Sequence, residues 1–232
     1  MKYLLCTLAL IVAGGISMSA QKKVTVTVKS EVPYNKLLPA DMLYEYEAYQ
    51  KGKLYYKDGG AVSREYNFSL LSGACLFKDK SGQELEVAFP EQIALVVIDS
   101  SRWYPVDGSF GKSIYSTEQM DLIRLRRTKC LDIRKEGAFG GMSNTAAVTN
   151  ITSFRGAGGA TQTLSVPGEY DFETRIEYYL KRGDTIEYAD AKGFRKLFPK
   201  QKNEINSLIK SRKLNLGKEN DIIELIKVLT LK

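Results

Sequence analysis

The chain has 232 residues, a formal charge of +7 and no histidine. Without imidazole, Ser-His-Asp and Cys-His catalysis, histidine-ligated zinc and histidine acid–base chemistry are excluded. The basic excess is spread along the chain, often beside Asp or Glu, and reads as a solvated basic surface; no recognition motif points to nucleic acid.

Lys2 supplies a positive start, and Tyr3 to Ala13 is an apolar run broken only by Thr7. Gly14, Gly15 and Ser17 then lead into Met18-Ser19-Ala20. That order is a secretory signal, with residues 1–20 removed and Gln21 at the new N-terminus. A spanning helix needs about 20 apolar residues, and this run holds about a dozen. Cys6 comes too early to be a lipidated cysteine after cleavage. No later segment is long and apolar enough to be a transmembrane helix. The expectation is a periplasmic or secreted product of 212 residues with a charge of +6 once Lys2 is gone.

Val24, Val26 and Val28 alternate with Thr25 and Thr27, which predicts a half-buried strand ended by Pro33, Asn35 and Pro39. Leu43 to Gln50 is tyrosine-rich and strand-like. Lys51-Gly52 reads as a turn, and Asp58-Gly59-Gly60 is a stronger one. Strands are expected at Val62 to Leu70, Ala74 to Lys78, Glu84 to Phe89 and Ile93 to Ile98, the last buried on both faces. Ser100 to Ser116 holds the single tryptophan and several turn formers. Met120 to Ile133 returns to strand character without a clear buried face.

From Gly137 to Ala160 small residues dominate, which suggests a long loop or the covering of a site. A phosphate cradle is disfavoured, because no Lys-Ser/Thr follows the glycines. Tyr170 to Leu180 and Thr185 to Tyr188 read as strands. Asp190 can cap a helix carrying Phe194, Leu197 and Phe198. Ile205, Leu208 and Ile209, then Ile222, Leu225, Ile226 and Leu229, form apolar stripes at helical spacing. The fold class is therefore α+β: a largely antiparallel sheet, open barrel or sandwich over 21–188, then two or three short helices over 189–232 packed on the same domain.

The run Tyr55 to Val87, with Tyr66-Asn67 in one strand and Gly82 at a later turn, resembles a pattern in secreted, uncharacterised Bacteroidetes proteins. The tail from Lys196-Leu197-Phe198-Pro199 through Glu204-Ile205, Ile209-Lys210 and Asn220-Asp221-Ile222 is similar to their tails. The resemblance implies a cell-envelope location and carries over no catalytic residue.

Candidate sites are few. Arg102, Trp103 and Tyr104 sit in a loop between strands and could stack on and hold a sugar or peptide, though a tryptophan that plugs a sheet edge is the simpler reading. Tyr44, Tyr46, Tyr49, Tyr55 and Tyr56 could form a platform, though tyrosine is also a favoured strand residue. Arg182-Gly183-Asp184 is the tripeptide that integrins read, but a hairpin turn explains it. Glu169, Asp171, Glu173 and Glu177 alternate along one strand as a solvated face; a glycosidase would need two carboxylates across a cleft. Cys75 and Cys130 could form a disulfide in an exported protein or remain separate buried thiols. Their spacing fits no metal motif, and no cofactor motif is present. The sequence supports a non-catalytic envelope protein that binds a glycan or another envelope protein. The alternatives are a carbohydrate-active enzyme with paired carboxylates and a surface adhesin. The oligomeric state is left open.

Overall fold

The computed structural model describes residues 22–28, 32–33, 37–136, 142–143, 163–164 and 168–230. The expected leader, 1–20, lies outside them, as does the small-residue stretch 137–160 apart from 142–143. The strands are β1 (Lys23–Val28), β2 (Val32–Pro33), β3 (Gln50–Tyr56), β4 (Ala61–Phe68), β5 (Cys75–Lys78), β6 (Glu84–Glu86), β7 (Ile93–Ile98), β8 (Ser101–Val106), β9 (Ser109–Ser116), β10 (Asp121–Glu136), β11 (Met142–Ser143), β12 (Thr163–Leu164), β13 (Gly168–Arg182) and β14 (Thr185–Tyr188). The helices are α1 (Ala40–Leu43), α2 (Ala191–Leu197), α3 (Lys202–Ser211) and α4 (Glu219–Thr230). The α+β reading holds: one antiparallel sheet runs β1-β13-β10-β9-β8-β7-β3-β4-β5-β6, with β11 beside β10 and β14 beside β13. Among the described residues no helix is long and apolar enough to cross a membrane.

The sheet curls on itself. β4 and β9 are four strands apart in that order, which on a flat sheet is about 19 Å. Yet Phe68 of β4 and Phe110 of β9 have ring centroids 5.3 Å apart. Phe68 also stacks on Trp103 of β8 at 4.5 Å. The curl is fastened where Thr128 of β10 donates its N–H to the Leu70 carbonyl at 2.8 Å. Leu54, Tyr66, Phe68, Cys75, Ile93, Trp103 and Phe110 fill the hollow so formed.

Three segments differ from expectation. Lys51-Gly52, read as a turn, lies inside β3. Of Leu43 to Gln50 only Gln50 is in a strand, as the first residue of β3; after α1 the chain is irregular, with one bridge from Tyr44 to Ser69. The buried Asn67 amide takes the place of a ladder: its Oδ1 accepts from the Tyr46 N–H at 3.1 Å and its Nδ2 donates to the Tyr46 carbonyl at 2.9 Å. Ser100 to Ser116, read as turns, is the β8–β9 hairpin. Its turn is Asp107-Gly108, with φ of 49° and 72°, the conformation that right-twisted hairpins favour. Gly111 obscures β9 in the sequence, but a Cβ there would meet Ile123 Cγ2 at 2.4 Å, so β9 passes too close to its neighbour for any side chain.

The helical layer follows the local signals. The Asp190 side chain caps α2 by accepting from the Gly193 N–H at 2.7 Å, satisfying a donor the helix would otherwise leave free. Phe194, Leu197, Ile205, Ile222, Leu225, Ile226 and Leu229 are buried against Met120, Leu122 and Leu180 of the sheet region. β10 lacked a clear buried face because its first half packs on both. Leu122 faces the helices, while Ile123 and Leu125 pack with Tyr104 and Tyr179.

Candidate binding groove

The structure separates the three residues first marked for a ligand. They lie in β8, not in a loop, and alternate residues of a strand face opposite sides. Trp103 is 2 % exposed, inside the curl, so it offers no face to a sugar. Its Nε1 has no hydrogen-bond partner among the described residues. Arg102 and Tyr104 turn the other way and converge on Asp121. Arg102 Nη2 lies 2.8 Å from Asp121 Oδ1, and the Tyr104 hydroxyl donates to Asp121 Oδ2 at 3.2 Å. Ser113 and Ser116 donate to the same carboxylate. This network joins three strands and leaves the Asp121 carboxylate well supplied with donors.

The other candidates are also engaged within the fold. Cys75 and Cys130 are both free, so the structure contains no bridge between them. Cys75 packs with the Trp103 group, and Cys130 packs near Tyr170 and Phe172. Burial raises both thiols, Cys130 to about 11, which keeps them protonated and unreactive. The Arg182 guanidinium lies 4.6 Å from the Phe198 ring centroid and donates to the Leu197 carbonyl, so the tripeptide at this turn has its cation turned inward. The carboxylates of β13 form an ion ladder instead of a solvated face. Glu169 and Asp171 meet Arg134 at 3.1 and 2.7 Å, and Glu177 meets Lys129 at 2.9 Å. Glu173 is buried, with Lys23 at 3.5 Å and Arg175 at 3.4 Å. Among the tyrosines, Tyr46 packs edge-on to Trp103 at 5.8 Å and Tyr49 donates to Glu84 at 2.5 Å.

A site the sequence did not mark lies where β5 leaves β4. Only Tyr66, Asn67 and Phe68 of β4 pair with β5, whereas β4 pairs with β3 from Ala61 to Tyr66. Among the described residues, Ala61 to Glu65 therefore have a strand neighbour on one side only. All five are exposed.

The outward-facing amides can be named. Antiparallel ladders alternate hydrogen-bonded and non-hydrogen-bonded pairs. Tyr56 N–H donates to the Gly60 carbonyl, and beyond the paired stretch Ser69 N–H donates to Ala74 on the β5 side. The even residues of β4 thus bond to β3, and Ala61, Ser63 and Glu65 point their N–H groups to the open side with the carbonyls of Ala61 and Ser63, while the Glu65 carbonyl closes the Tyr66–Phe77 pair with β5.

Beside this edge is a hollow of about 430 Å³, lined by Leu54, Val62, Tyr66, Phe77, Val87 and Phe89 among others. A second hollow of about 540 Å³ follows the edge between Ser63–Glu65 and Lys78–Lys80. Val62 is 36 % and Phe89 63 % exposed, large apolar side chains on one concavity. Phe89 is held there by a φ of 55° and ψ of 59°. That left-handed conformation is unfavourable for a bulky residue and more so before proline, here Pro90. Strain of this kind costs about 1–3 kcal/mol and clusters at functional sites. Tyr66 closes the floor, its ring over Gly52 and its hydroxyl donating to the Val62 carbonyl at 2.9 Å. Burial raises this phenol to about 12, so it stays a donor.

Cations border the groove. Lys51, Arg64, Lys78 and Lys80 line the second hollow, and none is in an ion pair among the described residues. Four acids line the two hollows as well: Asp58, which accepts from Gly60 N–H, Asp79, which accepts from Ser81 and Gln83, and Glu65 and Glu86. Apolar walls, free backbone groups and cations suit holding a ligand. Among the described residues no group of three or more Cys, Asp or Glu is placed to hold a metal ion. Compared with family profiles, curated proteins and solved structures, the chain matches none.

Proposed function

We propose that this chain is an exported cell-envelope protein that binds its ligand without transforming it, and that the groove beside β4 is where it binds. The observation that carries this reading is the exposure of Val62 and Phe89 over one hollow, with Phe89 kept there by unfavourable backbone angles. Burying such a side chain is worth about 1.5–3 kcal/mol. A fold that leaves Phe89 mostly and Val62 partly exposed gains a share of that energy when a ligand covers them. The secretory order of residues 1–20 supports the location, and the absence of histidine supports binding over hydrolysis.

Glycan and peptide arrays probed with protein beginning at Gln21 test the site. Binding that falls at least tenfold in Phe89→Ala supports it. Array binding indifferent to Phe89, or turnover of an arrayed substrate, would refute it. The location is tested separately by intact mass of the protein in the cell envelope, where retention of residues 1–20 would contradict export with cleavage.

A further inference from the structure

We infer that the open side of β4 takes an extended segment of a partner protein as an added strand, with apolar residues alternating with acidic ones. This rests on the groove being the binding site. Ala61 to Glu65 present five residues of unpaired edge, or about 17 Å of strand. The outward amides of Ala61, Ser63 and Glu65 supply the ladder that such a segment would complete. Its length is bounded by the structure, because β5 occupies the same side of β4 from Tyr66 onward and its turn at Asp79 to Gly82 follows directly.

The two faces of the edge dictate the alternation. Val62, Arg64 and Tyr66 lie on the face of the hollow, and every second side chain of an added strand enters it beside Phe77 and Phe89. The intervening side chains emerge on the face of Ser63 and Glu65, whose cross-strand neighbours on β3 are Lys53 and Lys51. Lys78 and Lys80 close the far end of the second hollow. Glu65 is the one acid on that stretch of edge, and Lys51 stands opposite it. These cations lie within about one screening length of an added strand. An acidic side chain there meets lysines that hold no ion pair among the described residues, Lys53 and Lys78 lying over the rings of Tyr55 and Tyr49, and a basic one meets like charge. A glycan uses the cations but leaves the row of strand amides unmatched, so the peptide fits the whole site.

The test uses fluorescein-labelled octapeptides of alternating valine and glutamate, with a valine–lysine counterpart, titrated into the mature protein at low salt. The glutamate peptide is expected to bind at least tenfold tighter than the lysine peptide, and Lys51→Glu, on the face where the glutamates emerge, to narrow or invert that preference. Two further glutamate peptides carry N-methyl groups on one or the other alternate set of amides. One set faces β4 and loses binding at least tenfold; the other keeps it. Ser63→Pro removes an outward N–H without touching the β3 ladder, and proline is tolerated on such an edge. It is expected to abolish binding while near-ultraviolet circular dichroism stays native. If that variant does not fold, the methylated peptides decide on the unaltered protein.

Equal binding by both methylated peptides would overturn strand addition. So would Phe89-dependent binding of an arrayed glycan with no octapeptide bound, an outcome that leaves the groove itself as the binding site. A wild-type dimer in sedimentation that Ser63→Pro converts to monomer would assign the edge to a second copy and overturn the partner reading.

Discussion

Replacing Phe194 by alanine asks whether the C-terminal helices and the curled sheet stand or fall together. Phe194 is fully buried, wedged between α2–α4 and the sheet residues Met120, Leu122 and Leu180. Truncating such a phenylalanine removes its burial and leaves a cavity, a loss of about 3–5 kcal/mol. The chain's one tryptophan, Trp103, belongs to a different cluster, inside the curl. Its fluorescence therefore reports the sheet while the substitution strikes the helical layer. A urea slope of about 2 kcal/mol per molar is reasonable for this size, so the Trp103 midpoint falls by about 1.5–2.5 M if the cores unfold as one. The gentler Phe194→Leu should move it in the same direction by less and covers the case in which alanine prevents folding. Far-ultraviolet circular dichroism at 222 nm follows the helices in the same titration. Loss of helix at low urea with an unmoved Trp103 midpoint would refute a shared core.

Asp190→Ala removes the α2 cap and should cost about 1 kcal/mol, read as a lowered melting temperature; no change would mean the Gly193 N–H finds another acceptor. Gly52→Ala sets a Cβ 2.8 Å from the Val97 carbonyl and 2.9 Å from Ile98 Cγ1, so β3 must shift from β7, at about 1–3 kcal/mol by urea denaturation. Alkali should unfold the protein. Burial raises Cys130 to about 11 and Tyr66 to about 12, so the fold favours their neutral forms. Their stabilisation is full below the ordinary thiol and phenol values, near 8.5 and 10, and is lost as pH rises through the raised ones. Absorbance at 295 nm should show phenolate appearing together with loss of near-ultraviolet dichroism, and a smooth titration without unfolding would count against it. Iodoacetamide at pH 8 should label the buried Cys75 slowly in folded protein and quickly in urea, with the half-buried Cys130 in between; fast labelling of Cys75 in the folded form would contradict its burial.

What could be read from the sequence was local. The Asp190 cap and the stripes of α3 and α4 depend on residues three or four apart, and the Asp58-Gly59-Gly60 turn depends on three in a row. The β8–β9 hairpin was hidden because Pro105 and Gly111 break its alternation, and the need for Gly111 arises from Ile123, on another strand. Trp103 looked like a ligand platform because its burial depends on Phe68 crossing the curl, a contact that no local pattern encodes. The β13 acids looked solvated because their cations, Arg134, Lys129 and Lys23, lie on neighbouring strands. The groove was the least legible feature, since it is made by β5 leaving β4 after Tyr66 to Phe68. Its one local trace was Phe89, a bulky residue directly before a proline.

The pairing of β1 with β13 sets the order in which this chain can mature. Thr25 and its hydrogen-bond partner Asp171 are 146 positions apart. A chain that emerges N-terminus first therefore delivers β1 early and must hold it without its neighbour until most of the rest has followed. Contacts of such range are slow to form, and for sheet proteins the delay runs from milliseconds to seconds. During that interval the valines of β1 are available to any other strand, which makes β1 the segment that a folding helper would have most reason to cover.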